Sequence, residues 1–274
     1  MVQKNFSIYG DASTAARLYI ELGKRYLACW NIAEAGKILH SFEMFVFDEA
    51  DAWDFAELLR VIALQSNLFE KSAVSTTVVW NNSPAVAVPA EYYNDELAAG
   101  YLALEGSSAV TSAVKTAAAG KLAVVYEMLP EWQATIASHF PAAQHAHKKA
   151  LLFDGTARLI YQGQPVVQLA FYNSEIELLI VNVTGIQLHQ AYCYNNAADV
   201  LYNLFNSLRQ LGIDKELVTV VVGGLIDAGS ALYKELALYI THLNLSSIDA
   251  AHINRQAFAE YPSHYFSPFY NLVV

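Results

Sequence analysis

One order of elements occurs twice in this chain, and that repeat limits its fold more than any other feature of the sequence. Residues 17–20, 26–32 and 37–47 are β-rich runs, separated by Glu21-Leu22-Gly23-Lys24 and other charged or turn-forming breaks, and they predict a three-stranded meander. Residues 51–66 change to helical spacing, with Trp53, Ala56, Leu59 and Leu64 beside Leu58 and Ile62. Asp51 is the expected N-cap, and Asp54 falls in the first turn, where a negative charge suits the helix dipole. Residues 74–80 predict a strand buried on both faces. Val86-Ala87-Val88-Pro89 follows, and Pro89 is expected to open a helix carrying Tyr92, Leu97 and Leu102.

A second series opens at Pro165. Residues 166–171, 176–183 and 186–194 predict three strands, with turns at Asn173, Ser174 and Gly185. A helix over 197–211 aligns Val200, Leu201, Leu204, Phe205 and Leu208 and stops at Gly212. A strand over 217–222 ends in Gly223 and Gly224, and a helix covers 231–243. First strands, first helices and following strands are offset by about 148, 146 and 143 residues, constant within the few residues by which such boundaries are uncertain. The chain is therefore expected to be a duplicated α/β unit with domains at 1–155 and 156–274. Between the two series, 106–120 reads as a loop or loose helix, 122–128 as a strand, 130–140 as a helix and 146–153 as an extended piece. Asp154 and Gly155 read as the turn between domains.

The chain has 274 residues, 55% of them hydrophobic and 12% aromatic, which is ample material for a core and excludes a disordered chain. Its net charge of −10 repels phosphates and anionic headgroups, so neither nucleic acid nor a membrane surface is an expected partner. No apolar stretch approaches the ~20 residues of a membrane span. The start, Met-Val-Gln-Lys-Asn-Phe-Ser, has no signal-peptide core behind Lys4. Cys29 and Cys193 sit in apolar patterns and read as buried free thiols. A cytoplasmic protein is expected.

Three strands, a helix, a strand and a helix are the core order of the ribonuclease-H-like unit. Two such units in tandem resemble the actin-like ATPase fold, in which they face each other across a cleft. The likeness is strongest along Val218-Thr219-Val220-Val221-Val222-Gly223-Gly224-Leu225-Ile226-Asp227-Ala228-Gly229, similar to that superfamily's adenosine-side strand and paired-glycine turn. Residues 245–249 and 263–274 look like the last strand and final helix of actin-like pilus-assembly and cell-division proteins. The Val86-Ala87-Val88-Pro89 step, and the 195–212 helix leading into 218–224, resemble a bacterial family of similar length with this fold, domain of unknown function 3822. The resemblance spans nearly the whole chain and implies α/β architecture: duplicated ribonuclease-H-like domains in an actin-like arrangement.

It also implies where a nucleotide would sit. The superfamily's first phosphate loop follows the first strand with an acid, one residue, then glycine; that place holds Glu21-Leu22-Gly23-Lys24-Arg25. Gly23 permits close backbone approach and Lys24 adds a cation. Glu21 replaces a shorter Asp, which is expected to push its carboxylate further into the cleft. The second loop falls on Ala170-Phe171-Tyr172-Asn173-Ser174-Glu175, which has no glycine and so no backbone cradle for phosphates. Gly23, Lys24, Gly223 and Gly224 are thus the candidate nucleotide-binding residues, for ATP with Mg²⁺. No catalytic residue and no obligatory cofactor are expected.

Other groupings have simpler explanations. His145 and His147 share a strand face near His139 but lack a further ligand for zinc, and read as surface residues on an edge strand. Glu49, Asp51 and Asp54 suit a helix start. Asp227 or Ser230 is expected to cap the next helix, since Ser230 lacks the glycines of a nucleophile elbow. The aromatic C-terminus, residues 261–270, is expected to pack the last helix into the first domain's side of the cleft. The leading expectation is a non-catalytic interaction or scaffold module with a protein partner. The alternative is a nucleotide-binding switch or weak ATPase. A nuclease needs converging carboxylates, where these strands carry Tyr, Val, Leu and Cys.

Overall fold

The computed structural model describes residues 2–10, 15–48, 54–69, 73–104, 113–156 and 163–274. Contacts divide the chain into two compact units, Met1–Asp154 with Ala250–Ala257, and Gly155–Asp249 with Phe258–Val274. The short return segment joins the first unit by backbone bonds: Leu39 N donates to His252 O, and Asn254 N to Leu39 O, both at 2.9 Å.

In the first unit, Gln3–Tyr9 (β1) precedes the meander of Ala16–Leu22 (β2), Tyr26–Ala33 (β3) and Ile38–Val46 (β4). β1 has no counterpart among the predicted elements; its polar, half-exposed residues take strand form because β4 offers an antiparallel edge. Phe55–Ala63 (α1) buries Phe55, Leu58, Leu59 and Ile62. Its cap is Asp54, whose carboxylate accepts from Ala56 N at 2.9 Å and Glu57 N at 3.3 Å. Glu49 and Asp51 lie outside the described residues. Ser75–Trp80 (β5) is buried only over Val78, Val79 and Trp80, not along its length on both faces.

The connecting region departs most from expectation. Ala85–Pro89 (β6) is a strand that ends at Pro89, which has no backbone N–H to donate. Helix Ala98–Ala103 (α2) begins only after two 3₁₀ turns, Ala90–Tyr92 and Asp95–Leu97. Part of the expected loop is a strand, Ala113–Ala119 (β7), paired with Leu122–Met128 (β8); residues 105–112 lie outside the described residues. Pro130–His139 (α3) follows as predicted. The expected extended piece splits into Gln144–His147 (β9) and a helix, Lys148–Gly155 (α4). The His147 ring stops the strand by accepting from Lys149 N through Nδ1 at 3.1 Å. Asp154 and Gly155 therefore end a helix rather than form a turn.

The second unit comprises Val166–Phe171 (β10), Glu175–Asn182 (β11), Gly185–Cys193 (β12), Ala197–Gln210 (α5), Thr219–Gly224 (β13), Ala231–Tyr239 (α6), Leu243–Leu245 (β14) and Ser267–Val273 (α7). Its core joins Val167 and Leu169 of β10, Ile176, Leu178 and Ile180 of β11, and Val220 and Val222 of β13 with Val200, Leu204 and Leu208 of α5. The alternation along each strand is what turns one set of side chains toward the helix.

The two main sheets share one topology. The second runs β12-β11-β10-β13-β14, and the first runs β1-β4-β3-β2-β5-β9, the same order with β1 added at its edge. In each, the meander is antiparallel and the next strand lies parallel to the first, as β5 does to β2 and β13 to β10. A third sheet, β6-β8-β7, belongs to the first unit. Of the C-terminal aromatics, Phe269 meets Tyr172 of its own unit edge to face, ring centres 5.9 Å apart.

Candidate functional site

The duplication holds to the single residue at the turn where the first strand meets the second. Gly23 N donates to Tyr26 O at 2.9 Å, and Tyr172 N donates to Glu175 O at 2.8 Å. Asn81 N donates to Leu22 O, as Leu225 N does to Phe171 O. Gly23 thus corresponds to Tyr172, and Trp80 to Gly224.

In open α/β sheets, ligands bind beyond the carboxyl ends of the parallel strands. In the first unit these are the ends of β2, β5 and β9, and they bring together Glu21, Gly23, Asn81 and Lys148. Glu21 is fully buried, against the expectation of a carboxylate pushed outward. Its Oε1 lies 3.1 Å from Lys148 Nζ, and the two side chains are 0% and 2% exposed. Tyr26 OH donates to the same oxygen, and Asn81 Nδ2 donates to it at 3.2 Å and to Tyr26 OH at 3.1 Å. Glu21 Oε2 is buried with no hydrogen-bond partner among the described residues. A Cβ at Gly23 would lie 2.2 Å from the nearest ring carbon of Tyr26, so the position is kept free of a side chain by one of the protein's own rings. Lys24 is exposed on the turn. Sequence reasoning missed Tyr26, Asn81 and Lys148; the signal available was that each lies within a few residues of a predicted strand end.

In the second unit the two candidate glycines end β13. Gly224 has φ +82°, and a Cβ there would collide with the Phe171 backbone. At Gly223 a Cβ would meet the hydroxyls of Ser246 and Ser267 at 2.6 and 2.7 Å, with Pro268 at 3.4 Å. Those two hydroxyls bond each other. Gly23 and Lys24 therefore belong to one unit, and Gly223 and Gly224 to the other. Tyr172, at the place of Gly23, is buried, with its hydroxyl 3.4 Å from Glu177 Oε2; Glu177 Oε1 lies 2.8 Å from His189 Nε2.

His147 is buried beneath Tyr126, ring centres 5.0 Å apart, so it is not a surface residue; Trp80 Nε1 donates to His145 Nδ1 at 3.2 Å. Ser230 caps α6, accepting from Tyr233 N at 3.1 Å. Cys29 is buried, but Cys193 is exposed because it ends an edge strand. Burial pushes the Cys29 thiol well up. A second buried acid, Glu43, accepts from Lys4 Nζ at 2.9 Å, Ser66 Oγ at 2.5 Å, Asn67 N at 2.9 Å and Tyr9 OH. Burial alone would raise its carboxyl, but the bonds from Ser66, Tyr9, Lys4 and Asn67 outweigh that and hold it below its ordinary value. Among the described residues no three His, Cys, Asp or Glu side chains are grouped to hold a metal ion, and no helix is long and apolar enough to cross a membrane.

This topology defines a protein of actin-like ATPase fold. A protein of that fold and unknown function from Bacteroides thetaiotaomicron superposes with TM-score 0.72 at 13% identity, over 90% of this chain and 96% of that one. The PilM-PilN type IV pilus biogenesis complex contains a chain matching with TM-score 0.58 at 12% identity, over 96% of this chain and 97% of its own. The chain belongs to the family described as protein of unknown function DUF3822, whose model matches residues 3–243. No curated protein matches it in sequence.

Proposed function

We propose that the protein is a non-catalytic actin-like interaction module that docks a protein partner. The observation that carries this reading is the filled site of the first unit: the Glu21–Lys148 ion pair and the Tyr26 ring occupy the strand ends where a phosphate would need open backbone and an exposed acid. A ligand would have to break a buried ion pair and displace an aromatic ring to reach Gly23, which costs several kcal/mol before any contact is gained. A bulky buried Tyr172 at the matching turn, and Ser246, Ser267 and Pro268 against Gly223, support the same reading. A neighbour of this fold is described in a complex with another protein, which supports a protein partner here.

The alternative, a nucleotide-binding switch, rests on exposed Lys24 beside Gly23. A thermal-shift titration with ATP, ADP and GTP, with and without Mg²⁺, separates the two. A ligand at ~100 times its dissociation constant stabilises by about 2.7 kcal/mol, so binding would be plain. No shift at millimolar nucleotide is expected. A clear shift with any of the three nucleotides would overturn the proposal.

A further inference from the structure

The two units differ at one place that topology makes directly comparable. In the first, the outer meander strand β4 is covered by β1, antiparallel, from Gln3 opposite Val46 to Tyr9 opposite Ser41. In the second, the equivalent strand β12 ends the sheet, and among the described residues no strand pairs with its outer edge. An open edge presents a row of unpaired N–H and C=O groups, and proteins usually guard it with charges, proline or shortness. β12 is 9 residues long and reads Gly-Ile-Gln-Leu-His-Gln-Ala-Tyr-Cys, with no Lys, Arg, Asp, Glu or Pro.

We propose that β12 is a docking edge for an extended segment of a partner protein, added as an antiparallel strand in the manner of β1. The proposal rests on the reading above that the protein binds a protein partner, and it names the surface. Charge fixes the chemistry of the segment. From Val166 to Asp199 the chain carries no Lys or Arg; Glu175 and Asp199 are half-buried acids, and Glu177 is buried against His189. A segment bearing Lys or Arg and no acid is complementary to this edge, as β1, with Lys4 and no acid, is on the first unit. A second copy of this chain is disfavoured, because pairing β12 with itself would bring together two regions without Lys or Arg in molecules of net charge −10. Leu188 and Tyr192 pack on the core side of the sheet, so alternate residues of the added strand would be apolar there.

The test uses the full chain. A displayed library of random twelve-residue peptides is selected against it, and enriched peptides are titrated by fluorescence anisotropy. The expected peptides alternate apolar with other residues and carry Lys or Arg but no acid. Their binding should weaken in high salt. Proline is then placed at Gln190 and, separately, at Ala191, neighbours whose N–H groups point to opposite sides of the strand. The variant that keeps the native melting temperature has lost an outward donor, and its affinity should fall at least tenfold. No enrichment, acidic peptides, or equal affinity in that variant would overturn the proposal. So would slow hydrogen exchange along the whole of β12 in the protein alone, or a dimer that proline dissolves. None of these outcomes depends on nucleotide binding, so failure here is distinct from failure in the thermal-shift titration.

Discussion

Replacing Lys148 with Met should destabilise the first unit sharply, and replacing Glu21 with Gln in the same chain should restore much of the loss. The charges lie 3.1 Å apart with side-chain exposures of 2% and 0%. At an effective dielectric of about 20, two charges at that distance attract by about 5 kcal/mol, much of which only offsets their desolvation. Among the described residues, removing the lysine leaves a buried carboxylate held by Tyr26 and Asn81. Stranding one member of a buried pair costs about 3–5 kcal/mol. For a unit of this size that corresponds to a fall in melting temperature on the order of 6–20 °C. The double variant removes both charges while keeping an acceptor for Tyr26 and Asn81, so at least half of the loss should return. Differential scanning calorimetry of the four proteins closes the cycle. A loss below about 1 kcal/mol in Lys148→Met, or a double variant no better than the single, would refute the argument that the pair holds this site closed.

Glu43 makes stability depend on acid. Its folded value is depressed, so its contribution is complete above the unfolded value of about 4.3 and is lost as pH falls through the folded one. Melting curves from pH 7 down to pH 2 should be flatter for Glu43→Gln than for the parent. Gly224→Ala places a Cβ against the Phe171 backbone at φ +82°, and should cost about 1–3 kcal/mol in denaturant melts of the second unit. A thiol reagent should titrate one cysteine, Cys193, in the native protein and two after denaturation, because Cys29 is buried with its thiolate disfavoured.

Local periodicity and turn chemistry were enough to determine the repeated series from the sequence. The meanders, α5, β13 and the cap at Ser230 all follow from β-branched runs, helical stripes and polar caps, each a property of neighbouring residues. The candidate glycines were legible for the same reason: turn positions are local. What surrounds them was decided only by tertiary structure. β1 is a strand because β4 offers it an edge, and Ala113–Ala119 because β8 does. Nothing near Glu21 in sequence shows that Lys148 will neutralise it, and nothing near Gly23 shows that a tyrosine ring will lie across it. Cys29 and Cys193 sit in similar apolar patterns, yet one is buried in a central strand and the other is exposed at the end of the outermost described strand of its sheet. Hydrophobic pattern fixes which face of an element turns inward; which partner it meets there depends on contacts between residues far apart in the chain.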